Sequence, residues 1–263
     1  MHVMLRELKA GWKPFLFWVT GLFFVIFAGI AKFEGLKEGG EAVKVMMESF
    51  PRILKAMFGM VGLNPISLEG YYGILMYYVL ICAAVFGMNL GSGAIGREVE
   101  DHTAEFLFSK PMKPDKILRD KLLADGIYLS IFCLLNIAFS LAALMTLGKK
   151  ENIYGEIFAY TTVVFFVGLW FFTLNVMLSV TAGTAKGGST AGMIVLLIAF
   201  ISSVLYDMFQ KADFMRFFTP FRWFLPQQLA EGRVNIGITL TVTAMCILFL
   251  VIATKEIGRK DIV

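Results

Sequence analysis

Six long apolar stretches, each bounded by polar or charged residues, set the pattern of this chain. They run over about residues 14–31, 71–94, 122–147, 156–182, 189–206 and 236–254. A helix of about 20 apolar residues covers the hydrocarbon thickness of a bilayer and satisfies its own backbone there. The pattern therefore predicts an all-α membrane protein with six transmembrane helices, forming a single transmembrane domain over residues 1–263. Arg6, Lys9 and Lys13 precede the first stretch, as cations do in a signal peptide. Its length and the five spans that follow favour a retained helix.

The polar segments carry patterns of their own. Before the first span, Leu5, Leu8, Trp12 and Phe15 recur at helical spacing with the cations opposite. That predicts an amphipathic interfacial helix over residues 1–13, lying among headgroups before the chain turns inward, although a simple basic flank gives the same residues. Between spans one and two, Val43, Met46, Met47 and Phe50 form one apolar stripe and Leu54, Met57 and Phe58 another. Pro51 separates them, so two short helices on the membrane surface are expected. The connector Asp207 to Asn235 holds Phe214, Phe217, Phe218, Phe221, Trp223 and Phe224 with Arg216 and Arg222. Arginine among aromatics can bind single-stranded nucleic acid, but beside a span it reads as an interfacial aromatic belt.

Composition agrees with the membrane reading. Hydrophobic residues make up 58% and charged residues 17%, against about half and about a quarter in soluble domains. Mean hydropathy is +0.74. Cys82, Cys133 and Cys246 all fall within apolar runs and read as small buried hydrophobes, without metal or disulfide spacing. The net charge of +4 is modest and its cations cluster at span ends. Six of the 24 Lys and Arg lie within Arg97–Lys121, which favours that segment and both termini on the cytoplasmic side, with about thirteen of the 24 inside; a multi-pass protein of the plasma membrane is the expectation.

That basic segment, residues 97–121, is the informative one. Asp101 or Thr103 can cap a helix, Glu105 suits its first turn, and Pro111 ends it. Ala104, Leu107 and Phe108 share one face. Pro114 then opens a helix that runs into span three, its exposed start carrying Asp115 with Arg119, Lys116 with Asp120 and Lys121 with Asp125. A short helix with one apolar face on a charged stem wants a partner, either the bilayer surface or a groove in another protein.

Glu98, Thr103, Glu105, Leu107, Ser109, Pro111, Ile117 and Lys121 resemble the pattern of six-span permeases of type-2 ABC exporters. The basic start ending near Trp18, Thr219-Pro220-Phe221 and the ending Gly258-Arg259-Lys260-Asp261-Ile262 agree, so the likeness spans the chain. His102 and Pro114 depart from it, standing where the family usually has Gly and often Arg. The resemblance implies that the segment is a coupling helix docking on a cytoplasmic ABC ATPase subunit. Glu98, Glu100, Thr103, Glu105, Leu107, Phe108, Ser109 and Pro111 would make the coupling site, with Leu107 and Phe108 as docking contacts. It further implies a second permease copy or a similar permease, with ATP and Mg on the partner ATPase.

The rest of the chain offers no competing chemistry. His2 and His102 are far apart and lack metal-ligand neighbours, and Gly183–Ser189 lacks the Gly-Lys-Ser/Thr ending of a phosphate loop. The expectation is no catalytic site, no metal, no cofactor in this chain and no nucleic-acid partner. Polar residues inside spans are where a transport path is sought. Asn89, Asn136 and Asn175 are the candidates, with helix–helix hydrogen bonding as their ordinary alternative. Gly87 with Gly91, and Gly188 with Gly192, allow close helix packing within a subunit or between copies. A Phe- and Met-rich interior suits an amphipathic or hydrophobic cargo such as a drug, antibiotic peptide or lipid-like molecule. An ATP-independent secondary transporter or channel, and a non-transporting anchor or sensor subunit, are the alternatives.

Overall fold

The computed structural model describes residues 2–93, 114–146, 153–209 and 213–259. Among these residues all regular secondary structure is helical, with no strand. In chain order the helices are α1 (His2–Glu38), α2 (Gly40–Glu48), α3 (Arg52–Met57), α4 (Leu68–Ser92), α5 (Pro114–Thr146), α6 (Tyr154–Ala182), α7 (Ala185–Phe209), α8 (Pro226–Leu229) and α9 (Ile236–Arg259). Two 3-10 segments, Asp213–Phe218 and Pro220–Arg222, lie between α7 and α8. Helices α1, α4, α5, α6, α7 and α9 are long and apolar enough to cross a membrane, in the order expected from the pattern.

Local sequence explains the helix ends. Ser67 caps α4, its hydroxyl accepting from the Gly70 amide at 3.1 Å, with Glu69 in the first turn where the dipole favours an acid. Asn235 does the same for α9, accepting from Ile238 at 3.2 Å. Helix α6 ends at Gly183, whose φ of +73° is left-handed; its amide closes the helix on the Ser179 carbonyl at 3.0 Å. The glycine-rich stretch after it is therefore a turn, with Thr184 Oγ1 accepting from the Gly187 amide at 3.0 Å.

Burial separates the six long helices into two groups. The most apolar windows of α4 and α6 are 67% and 72% buried inside the chain, those of α1, α7 and α9 only 17%, 28% and 17%. Helices α4 and α6 are the centre, and the outer helices keep most of their apolar surface for lipid or another chain. The central pair approaches closely because it lacks side chains at the contact. A Cβ at Gly87 would strike the Gly168 carbonyl, and one at Gly91 the carbonyl of Phe172. From α7, Gly188 sits against Ser179 and Gly192 against Asn175, which also borders α4. Both glycine pairs thus serve packing within the subunit.

Three expectations change in detail. The amphipathic start does not turn before the first span, because α1 runs unbroken through Pro14. The reason lies on α5: the Tyr128 hydroxyl donates to the Leu8 carbonyl at 2.5 Å, and a Cβ at Gly11 would meet the Tyr128 ring at 2.8 Å. Phe15 stacks on that ring at 4.8 Å, which holds the start of α1 along α5. The charged start of α5 is not wholly exposed either; Ile117, Leu118 and Lys121 are buried, while Lys116 and Arg119 face outward. Last, the aromatic belt divides. Phe214, Phe217 and Phe218 are exposed, whereas Phe221 and Phe224 are buried in the core. The first connector does form two helices, α2 and α3, broken at Pro51, with Met46, Leu54, Met57 and Phe58 exposed.

Candidate functional site

The coupling residues Glu98, Glu100, Thr103, Glu105, Leu107, Phe108, Ser109 and Pro111 lie outside the described residues. The structure does describe the helix ends that flank them in sequence, at Ser92 and Pro114. At the end of the bundle where α4 stops and α5 starts, Leu118 of α5, Phe172, Val176 and Val180 of α6, and Ala253 and Ile257 of α9 form one small apolar cluster. The Gly183 turn is at this end too. These side chains meet by packing alone, while polar groups at the same end, Lys121, which is buried, and Glu256 among them, are engaged as well.

The opposite end, which we call the connector end, is built differently. Asp207, near the end of α7, is 6% exposed and Arg222, in the second 3-10 segment, is 2% exposed. They form a buried ion pair through Arg222 Nη2 and Asp207 Oδ2. The Arg222 guanidinium also lies over the Tyr77 ring of α4, 5.1 Å from its centroid. Arg52 of α3 adds a second cation, its Nε donating to the Asp207 backbone carbonyl at 2.9 Å. Arg216 Nε donates to the Arg222 carbonyl at 3.1 Å, fixing the turn that carries the buried arginine. The Tyr160 hydroxyl of α6 donates to the Pro226 carbonyl at 3.2 Å. Four connecting pieces and three long helices are thereby tied together by polar contacts, with the Asp207–Arg222 pair out of reach of water and the others part-buried. A buried pair of this kind adds little net stability, but breaking it leaves an uncompensated charge and is costly.

The intramembrane candidates divide into two levels. Asn136 of α5 is fully buried; its Nδ2 donates to Thr161 Oγ1 of α6 at 2.8 Å and lies 3.9 Å from the Met76 sulfur of α4. Beside it the Tyr72 hydroxyl donates to Ser140 Oγ at 2.9 Å. Asn175 of α6, also fully buried, donates to the Met88 carbonyl at 2.7 Å, and half-buried Asn89 is the next residue along α4. Met76 and Met88 are twelve residues apart on one helix, about 18 Å along its axis. Asn89 and Asn175 thus share a level, and Asn136 belongs to another, nearer the connector end. Both buried asparagines hold helices together in this conformation. The carboxamide oxygens of Asn136 and Asn175 have no hydrogen-bond partner among the described residues.

Sequence reasoning missed Asp207, Arg222, Arg52 and Tyr77. Asp207 carried a signal, as an acid directly after an apolar run, but that run was ended at Tyr206 and the acid assigned to the connector. Its partner could not be read at all, because Arg222 stands among aromatics that looked interfacial.

Searches of the curated proteins and of the solved structures find no match to this chain. A family model, the ABC-2 family transporter protein, matches residues 1–258. With six apolar helices in the expected order beneath that match, the chain belongs to the ABC-2 transporter family.

Proposed function

We propose that this chain is the membrane-spanning permease subunit of an ATP-driven ABC exporter. The observation that carries the reading is the family match over residues 1–258, together with six helices that leave residues 94–113 between α4 and α5. In this reading the end bearing residues 94–113 and both termini is cytoplasmic, and the connector end faces outward. Residues 97–111 dock on a separate ABC ATPase subunit, with Leu107 and Phe108 in its groove and Glu98, Glu100 and Glu105 facing its basic residues. Thr103, Ser109 and Pro111 set the ends of that short helix.

ATP and Mg bind the partner, and this chain supplies only motion. Closure of two ATPases would push on α5, which packs on α6 and α9 at its base, and the tilt would reach the connector end. A second copy, or a similar permease, covers one of the sparsely buried outer helices. The cargo is amphipathic or hydrophobic. A route along Asn89, Asn136 and Asn175 requires α6 to part from α4 and α5, since Asn136 and Asn175 bridge those contacts.

The test is transport in vesicles containing the permease with its ATPase, using a fluorescent amphiphile as cargo. The reading predicts movement that depends on ATP hydrolysis. Equal movement by the chain alone would make it a secondary transporter or channel. ATPase binding without any cargo-stimulated hydrolysis would make it an anchor or sensor.

A further inference from the structure

The first connector encloses a cleft that neither the packing of the bundle nor the proposed transport requires. It measures about 620 Å³ and lies between α2, α3 and the loop leading into α4. Three cations line it, Lys44, Arg52 and Lys55, against one acid, Glu48. The cations are not consumed by carboxylates at the site. Lys55 Nζ donates to the backbone carbonyl of Glu48 at 2.8 Å, not to its side chain. Arg52 likewise meets the Asp207 backbone carbonyl, because the Asp207 carboxylate is engaged by Arg222. Lys44 reaches Glu41 at 3.3 Å in an exposed pair, a type that contributes little. The cleft therefore holds an excess of positive charge with hydrogen-bond donors still to satisfy.

Its remaining walls are not polar. Met47, Phe50 and Leu63 contribute half-buried apolar surface beside the cations. On their outer faces α2 and α3 leave Val45, Met46, Ile53, Leu54, Met57 and Phe58 exposed. Short helices with that much bare apolar surface rest stably against a bilayer interface. Such a position sets the cleft at headgroup depth, with its cations where lipid phosphates lie.

We propose that this cleft binds the phosphate headgroup of an anionic amphiphile, with Lys44, Arg52 and Lys55 on the phosphate and the Met47–Phe50–Leu63 wall against the first carbons. Neither ATP nor a partner subunit enters the proposal, so it stands or falls apart from the transport reading. Arg52 joins the cleft to the buried Asp207–Arg222 pair, and Gly62 at its rim presses on Gln227 of α8. An occupied cleft therefore touches the contacts that hold the connector end together.

The experiment uses the full chain purified in a neutral detergent and short-chain phosphatidylglycerol as the probe, with binding read by native mass spectrometry. One saturable site is expected. Replacing the lysines (Lys44→Gln with Lys55→Gln) should weaken it at least about tenfold, as loss of charge-assisted hydrogen bonds does. Phosphatidylcholine of the same chain length should compete poorly, and inorganic phosphate should bind more weakly than the lipid. Lys44→Gln alone, which removes only an exposed side chain, covers the case in which the double variant unfolds; it should weaken binding measurably at an unchanged melting temperature. Unaltered affinity in a folded variant would overturn the proposal. So would phosphatidylcholine binding as tightly, which would show a plain apolar groove, or phosphate binding as tightly, which would show a site for free anions.

Discussion

The two ends of this helical bundle differ in what is buried there. At the connector end, an ion pair buried to within a few percent, a cation over an aromatic ring and backbone-directed arginines fix three connecting pieces in one arrangement. At the other end, Leu118, Val176, Val180, Ala253 and Ile257 meet as an apolar cluster, with buried Lys121 one turn along α5 engaged as well. Charged hydrogen bonds are directional and lost all at once when groups separate. Apolar contacts change gradually as helices slide. In the proposed transport reading, the buried ion pair would hold the far end until drive from the other end separates it.

The sharpest way to break the comparison is to remove one member of the buried pair. Asp207→Ala leaves Arg222 charged and buried, and should cost about 3–5 kcal/mol, read as a large fall in melting temperature of the detergent-solubilised chain. Removing both charges with Asp207→Ala and Arg222→Met should restore much of the loss, which separates an unpaired charge from lost packing. At the other end, Leu118→Ala deletes buried apolar atoms of the small cluster and should cost about 2 kcal/mol by the same measurement. Equal or greater loss there than for Asp207→Ala would erase the distinction between the ends. Asn136→Leu should cost only about 0.6 kcal/mol, the average for an interhelical hydrogen bond in a membrane protein. It sharpens the account further, since a transport defect at near-native stability would assign Asn136 to the cargo route. The smallest effect belongs to Arg119→Gln on the exposed side of α5, expected within about 0.5 kcal/mol of the parent chain.

How much of this was legible in the sequence follows from which interactions are periodic. The six spans repeat an apolar signal over twenty or so residues, and all six are found in place. Pro51 marks its break because its effect is local to the backbone. The glycine pairs on α4 and α7 announced close packing, though not that α6 would receive both. The connector-end site was illegible because its parts come from α3, α4, α7 and the second 3-10 segment, and no periodicity links Arg52 to Asp207 or Tyr77 to Arg222. Span ends are read by hydropathy, which drops at the first charge. A buried acid inside the last turn is thus assigned to the loop. Lys121 was misjudged for the same reason: its charge suggested solvent, whereas the fold buries it against neighbouring helices.

The measurement that bears most directly on the central claim concerns Leu107. The intact chain should co-purify with its ABC ATPase from detergent-solubilised membranes, and Leu107→Glu, at an unchanged melting temperature, should lose the ATPase and with it ATP-dependent transport. Full retention of both by the folded variant would contradict the assignment of residues 97–111 as the place where the ATPase drives this permease.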